Sequence, residues 1–275
     1  MIRAICLALI FGTPAFADRV ITLGGSVTEI AVALGAEGRL VARDTTSTYP
    51  ETIQTLPDVG YIRALSPENV LALDPDLIIA EGDAGPPEAV EVLRSAGIPF
   101  ILVPEATDPA GVGAKIKAVA EALALPDAGA TLAAEVQAQL DTAAARAAAV
   151  MAPRRVLFVL SLQGGAVMAG GEGTEAEGII RLAGGENAAT GFKGYKPMTD
   201  EAVLAARPDA ILMMDREGNL AISNAEILAQ PALSQSPAAQ TESIIRLDGM
   251  LLLGFGPRTP EAAEALRGAL YDSES

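Results

Sequence analysis

An α/β protein of two pseudo-symmetric lobes joined by a long rigid helix is the fold this sequence predicts, on three observations. Short apolar runs alternate with amphipathic helical stretches in both halves of the chain, the pattern of a parallel sheet with helices on both faces. The middle, from Pro109 to Met151, is rich in Ala, Leu, Lys, Glu and Gln and is broken chiefly by LPDAG near Pro126. One segment is also written twice, as GYIRALSPENVLALDPDLIIA from Gly60 and GYKPMTDEAVLAARPDAILMM from Gly194.

Taken in order, MIRAICLALIFGTPAFA has a basic Arg3, a short apolar core and a small-x-small Ala15-Phe16-Ala17. It reads as a secretory signal peptide, residues 1–17, cleaved after Ala17. RVITLGG is a strand ending in a glycine turn. SVTEIAVALGA then opens as a capping box, Ser26 with Glu29, and its helix closes near Gly35. RLVARD is the next strand. SPENVLALD is a helix with Ser66 as N-cap and Pro67 at its first position, followed by the strand PDLIIAE. PEAVEVLRSAG and PFILVPE repeat the alternation and complete a first lobe over residues 18–125.

A helix to about Leu123 leads into a long one from about Asp127 to Val150, which makes residues 126–152 the connector. PRRVLFVLSL restarts the alternation, GTEAEGIIRLAGG is a helix, and DEAVLAARPDAILMMD is the second copy of the repeated unit. IIRLD and the final helix PEAAEALRGAL close a second lobe, residues 153–275.

Composition removes several functions. There are 19 Lys and Arg, one of them in the leader, against 35 Asp and Glu. Nucleic acid is therefore an unexpected partner, because phosphate binding needs a basic face. Histidine is absent, which removes histidine triads, imidazole zinc sites and histidine haem ligation. The single cysteine, Cys6, lies inside the leader, away from the cleavage point, so neither a lipid-anchor cysteine nor a disulfide is expected. No apolar run is long enough for membrane insertion. No Gly-x-Ser-x-Gly elbow or phosphate loop is present, which leaves only a carboxylate-only enzyme as a reading from another class.

The repeated unit reads as one supersecondary element used at a corresponding place in each lobe. Its hydroxyl, Ser66 or Thr199, caps a helix, and the glutamate two residues on, Glu68 or Glu201, sits in the first turn, where the helix dipole favours negative charge. The pairs Pro75-Asp76 and Pro208-Asp209 read as punctuation between helix and strand.

Together, RVITLGGSVTEIAVALGA, VARDTTSTYP, LPDVGYIRALSPENVLALDPDLIIAEGDAGPP, LAGGENA, GYKPMTDEAVLAARPDAIL and LLGFGPRTPEA resemble the periplasmic haem-binding proteins of bacterial ABC-type haem importers. The likeness covers nearly the whole chain beyond the leader, and the wider family also holds vitamin B12 and siderophore binders. It implies a ligand cleft between the lobes, haem as the transported ligand, membrane permease subunits as partners, and no enzymatic role. A corrinoid or a ferric siderophore is the alternative ligand, and a monomer is expected.

The chemistry of Tyr61 agrees with that implication. Ferric iron is a hard Lewis acid and a phenolate a hard anionic donor, and tyrosine is an established haem ligand. Free tyrosine titrates at about pH 10, so phenolate ligation needs help from the iron and from nearby cations. Arg63, two residues on, falls on the same side as Tyr61 in an extended segment, and the resemblance implies that it supports the phenolate. Tyr195 is the mirror-image candidate, followed by Lys196-Pro197, with a pocket wall and a second axial ligand both open. Met168, with Met213 and Met214, either approaches the haem or packs in the core. Arg43, Arg216 and Arg258 are candidate propionate partners, because guanidinium binds carboxylate in a bidentate fashion. The resemblance also implies that Glu68 and Glu201 meet arginines on the permease subunits. Plain capping is the competing role.

Overall fold

The computed structural model describes residues 18–163, 165–216 and 221–272; the expected leader, residues 1–17, lies outside them. Strands β1 (Val20–Leu23), β2 (Leu40–Arg43), β3 (Leu77–Glu81) and β4 (Phe100–Val103) form one sheet in the order β2-β1-β3-β4. Every pairing in it is parallel. The central strands β1 and β3 are mostly apolar and almost wholly buried, as parallel strands covered on both faces must be. Helices α1 (Gly25–Ala33), α2 (Pro67–Leu71) and α3 (Pro87–Ser95) make the crossovers.

Helices α4 (Pro109–Ala122) and α5 (Pro126–Ala148) follow, packed on each other so closely that a Cβ on Gly129 would fall 2.2 Å from the Ala120 side chain. Along α5 the buried residues Gly129, Ala133, Val136, Leu140 and Ala143 recur three or four apart, a single apolar stripe. That stripe explains why a helix of 23 residues runs unbroken: it is packed against α4 and two helices of the second lobe.

The second lobe contains β5 (Arg155–Gln163), β6 (Ala166–Gly170), α6 (Glu175–Leu182), β7 (Glu186–Asn187), β8 (Tyr195–Met198), α7 (Asp200–Ala206) and β9 (Ala210–Asp215). After these come α8 (Asn224–Ala229), α9 (Pro237–Gln240), β10 (Ile244–Asp248), α10 (Gly249–Leu253) and α11 (Thr259–Tyr271). The sheet order is β10-β9-β5-β6-β8, with β7 beside the start of β5. Here the expectation of a parallel sheet needs correcting. The pairs β10–β9, β9–β5 and β5–β7 are parallel, but β5–β6 and β6–β8 are antiparallel. Strand β5 shifts register between Val159 and Ser161, and the chain turns back through Gly165, at φ 83°, into β6. The hairpin signal was the glycine pair inside LQGGAVM.

The repeat is structural. Ser66 and Thr199 both cap their helices, accepting from the Asn69 and Ala202 N–H groups. Each Pro-Asp pair does more than punctuate. Asp76 N–H donates to the Arg19 carbonyl at 2.8 Å while its carboxylate accepts from the Arg19 N–H at 3.1 Å. Asp209 does the same to Arg155, at 2.7 and 2.8 Å. In each lobe the aspartate thus clips the entry of one strand to the entry of the strand beside it.

Helix α1 also departs from the expectation. Its N-cap is Gly24, and Ser26 lies inside the helix, so Ser26 and Glu29 form no capping box. Gly24 has φ 107°, and a Cβ there would fall 2.6 Å from the Glu81 side chain, so the turn demands glycine twice over. Ser26 and Glu29 are spent on partners far away in the sequence.

The two lobes share a core. One cluster of buried side chains runs from Val20 and Ile79 through Val112, Ile116 and Leu140 to Phe158, Ile179, Leu212 and Phe255. No described helix is long and apolar enough to cross a membrane.

Candidate functional site

Open α/β sheets bind ligands at the C-terminal ends of their parallel strands, and in the first lobe the end of β3 is linked to the second lobe through Lys115. At the end of β3, Glu81 sits 3.7 Å from the Lys115 Nζ, and Ser26 donates to the Glu81 carboxylate. Lys115, only 4% exposed, also donates to Ser26 Oγ at 3.0 Å and to the Gly254 carbonyl of the second lobe at 3.1 Å. Burial raises the Glu81 carboxyl above its ordinary range, against the opposing pull of Lys115 and Ser26.

Tyr61 lies near the same strand end. It is 42% exposed, so its phenol is open to a ligand. Arg63 Nη1 donates to the Tyr61 oxygen at 2.7 Å, and the guanidinium carbon lies 5.7 Å from the ring centre. Arg63 Nη2 pairs with the Asp83 carboxylate just beyond β3. Burial works against the Arg63 charge, but the Tyr61 hydrogen bond and the Asp83 carboxylate outweigh it and hold the cation. The proximity that the sequence suggested is present with a different backbone cause. Residues Ile62–Ala64 form a single 3-10 turn, not an extended segment, and the arginine side chain folds back to reach the phenol.

Tyr195 is not its mirror image. It lies in strand β8, packs edge-on against Phe158 at 6.2 Å, and donates its hydroxyl to the Glu175 carboxylate at 2.9 Å. Burial, and then that carboxylate, push the hydroxyl well above the ordinary tyrosine range, which opposes phenolate ligation. The two repeats diverge here because β8 pairs with β6, whereas the segment at Tyr61 belongs to no strand.

The three arginines separate. Arg258 spans the lobes: its Nε and Nη2 hold Glu29 at 3.0 and 2.5 Å, and its guanidinium lies 3.7 Å over the Tyr49 ring. Its guanidinium is thus occupied by Glu29 and Tyr49 in this structure. Burial raises the Glu29 carboxyl, with Arg258 pulling the other way. Arg43 is occupied inside the first lobe by Asp58 at 3.1 Å and the Asp44 carbonyl at 3.0 Å. Arg216 follows β9 directly and is half buried; among the described residues its guanidinium hydrogen-bonds to the Met214 sulfur, at 3.8 Å, and meets no carboxylate. It is the candidate cation left available. Met168 and Met214 are half-buried and Met213 is buried in the core of the second lobe.

Glu68 and Glu201 hold the same slot, two residues after the cap, and both are exposed. Its own backbone N–H and the Thr199 hydroxyl hold the Glu201 carboxyl below its ordinary value. A cavity of about 580 Å³ lies elsewhere, between Thr107, Ala144, Thr174 and Arg181, and none of the candidate residues lines it.

The sequence reading missed Asp83, Lys115, Glu175 and the role of Glu29. Only Asp83 left a local trace, as an acid two residues after a buried strand. The others act across tens to hundreds of residues.

Two α/β lobes on a shared helical spine, with an exposed tyrosine–arginine pair near the end of β3 in the first, define a two-lobed solute-binding protein. The chain belongs to the periplasmic binding protein family, whose match spans residues 20–251. The periplasmic heme-binding protein BhuT, solved in complex with two hemes, is 42% identical with a TM-score of 0.87, over 94% of this chain and 99% of that one. RhuT, a periplasmic heme-binding protein from Roseiflexus sp. RS-1 solved in apo form, is 37% identical with a TM-score of 0.89, over 94% of this chain and 100% of its own. The vitamin B12-binding protein of Vibrio vulnificus (strain CMCP6) is 28% identical over 90% of this chain and 88% of its own.

Proposed function

We propose that the protein captures ferric haem between its lobes in the periplasm and delivers it to the membrane subunits of an ABC importer, with no chemistry performed on the cargo. Tyr61 is the iron ligand, Arg63 stabilises its phenolate, and Arg216 meets a propionate. The observation that carries the reading is the exposed Tyr61 oxygen receiving the Arg63 hydrogen bond at 2.7 Å. A hydroxyl so placed presents a hard oxygen to iron while a fixed cation neutralises the charge that develops on it. The two haem-binding relatives, alike over nearly the full length, support the same cargo. In this reading residues 18–125 and 153–275 are the two gripping units, a single copy is the working form, and residues 126–152 hold the lobes at a fixed separation.

The test is a visible titration of the purified protein with hemin. A phenolate-to-iron charge-transfer band that grows to saturation is expected. The B12-binding relative favours a corrinoid as the second reading. Retention of cobalamin without uptake of hemin would establish that reading and overturn the first.

A further inference from the structure

We infer that Asp83 is a positioning residue for the iron ligand, holding the Arg63 guanidinium against the Tyr61 oxygen. The inference rests on the haem reading above and extends it to a residue outside the tyrosine–arginine pair.

The geometry is a relay through one planar group. Arg63 uses Nη1 for the Tyr61 oxygen and Nη2 for Asp83 Oδ2, so the carboxylate on one edge fixes the plane presented to the phenol on the other. Arg63 needs this anchor. Its side chain is 54% exposed and carries several rotatable bonds, so a lone hydrogen bond to a phenol would hold it weakly. Asp83 is better fixed, at 28% exposure. Its segment is stapled to the turn that carries Tyr61 and Arg63, with Gly85 N–H donating to the Ile62 carbonyl at 2.9 Å and Leu65 N–H to the Gly85 carbonyl at 2.8 Å. The second carboxylate oxygen, Oδ1, is buried and makes no hydrogen bond among the described residues, so the group is committed to Arg63 alone.

The arrangement also addresses a competition intrinsic to haem. The cargo carries two propionates, and a free guanidinium beside them would pair with carboxylate in preference to a tyrosine oxygen. Asp83 fills that demand from within the protein. Arg63 therefore stays on the iron ligand, and the propionates are left to other cations.

The experiment compares wild type with Asp83→Ala and Asp83→Asn in the full chain. With haem bound, Asp83→Ala should shift the phenolate-to-iron charge-transfer band and speed haem dissociation about tenfold, the effect of one charge-assisted hydrogen bond partly screened by water. Asp83→Asn keeps an acceptor oxygen and should restore most of both. A purely structural role for Asp83 would lower the melting temperature and leave the band in place. Should the alanine variant not fold, Asp83→Ser, too short to pair with the guanidinium, carries the same expectation. Band and dissociation rate overlaying wild type in the Ala or Ser variant would overturn the inference. A second arm uses the ligand-free protein, so that failure of the haem reading is told apart. The Arg63 guanidinium nitrogens should give resolved NMR signals in wild type and motionally averaged ones in Asp83→Ala. Equal averaging in both would remove the positioning role, whatever the cargo.

Discussion

Arg258 of the second lobe grips Glu29 of the first through two hydrogen bonds, at 3.0 and 2.5 Å, across 229 residues of sequence. Tyr49 covers the guanidinium at 3.7 Å, so the pair is closed off from much of the solvent. Arg258 is 17% exposed and Glu29 7%, which puts the contact among buried ion pairs rather than surface ones. Removing one partner of such a pair strands the other. Arg258→Ala should therefore lower stability by about 3 kcal/mol and leave the haem affinity of the folded protein unchanged. Denaturant unfolding and hemin titration on the same variant check both halves, and a large loss of haem affinity at unchanged stability would return Arg258 to the cargo.

Tyr61 is the centre of the proposed site. Tyr61→Phe removes only the oxygen, so the fold should be unaffected while the charge-transfer band disappears. Haem affinity should fall by more than the roughly 10- to 100-fold that loss of an outer-shell partner costs a metal site. Hemin titration of the variant decides it, and an unchanged spectrum would assign the ligand to another residue.

The half-buried Glu81 gives a pH dependence with a definite sign. Its carboxyl is raised by burial, with Lys115 and Ser26 opposing. A raised folded value means that the folded protein holds the proton where the unfolded chain has released it. The associated stability is fully present below the ordinary carboxyl value of 4.5 and is lost as pH rises through the folded value. Compared with Glu81→Gln, wild type should gain relative stability as pH falls from neutrality toward that value. Thermal melts of both proteins across the interval measure the difference, and a flat or reversed difference contradicts the assignment.

The paired glutamates predict a separation of binding from delivery. Glu68 and Glu201 are exposed at equivalent first turns, where capping and docking are both available. Replacing both with alanine should leave hemin titration unchanged while slowing delivery to transporter-containing vesicles, with a weakened dependence on salt. Wild-type delivery by the double variant would leave only the capping role.

Lobe closure should be small. The lobes share one apolar cluster and are cross-tied by Lys115 to the Gly254 carbonyl as well as by Arg258 to Glu29. Small-angle scattering of ligand-free and haem-loaded protein should give nearly the same radius of gyration. A large contraction on loading would mean that these ties open.

What the sequence determined by itself is what short-range physics writes. The strand and helix alternation followed from apolar periodicity, the caps at Ser66 and Thr199 from hydroxyls preceding helices, and α5 from an uninterrupted run of helix formers. The pairing of Tyr61 with Arg63 was visible too, because two residues apart is within reach of one side chain on several backbones, including the 3-10 turn that is present. Tertiary structure alone decided the fate of the other cations and acids. Nothing near Arg258 in the sequence points to Glu29, and nothing near Lys115 points to Gly254 or Glu81. Tyr195 and Tyr61 open the same repeated segment, yet one is bound to Glu175 within a sheet and the other is left open beside Arg63 and Asp83. Local propensity acts over a few residues, whereas a buried charge takes whatever partner the packed fold brings within hydrogen-bonding distance. That partner is chosen only when the two lobes close over their common core.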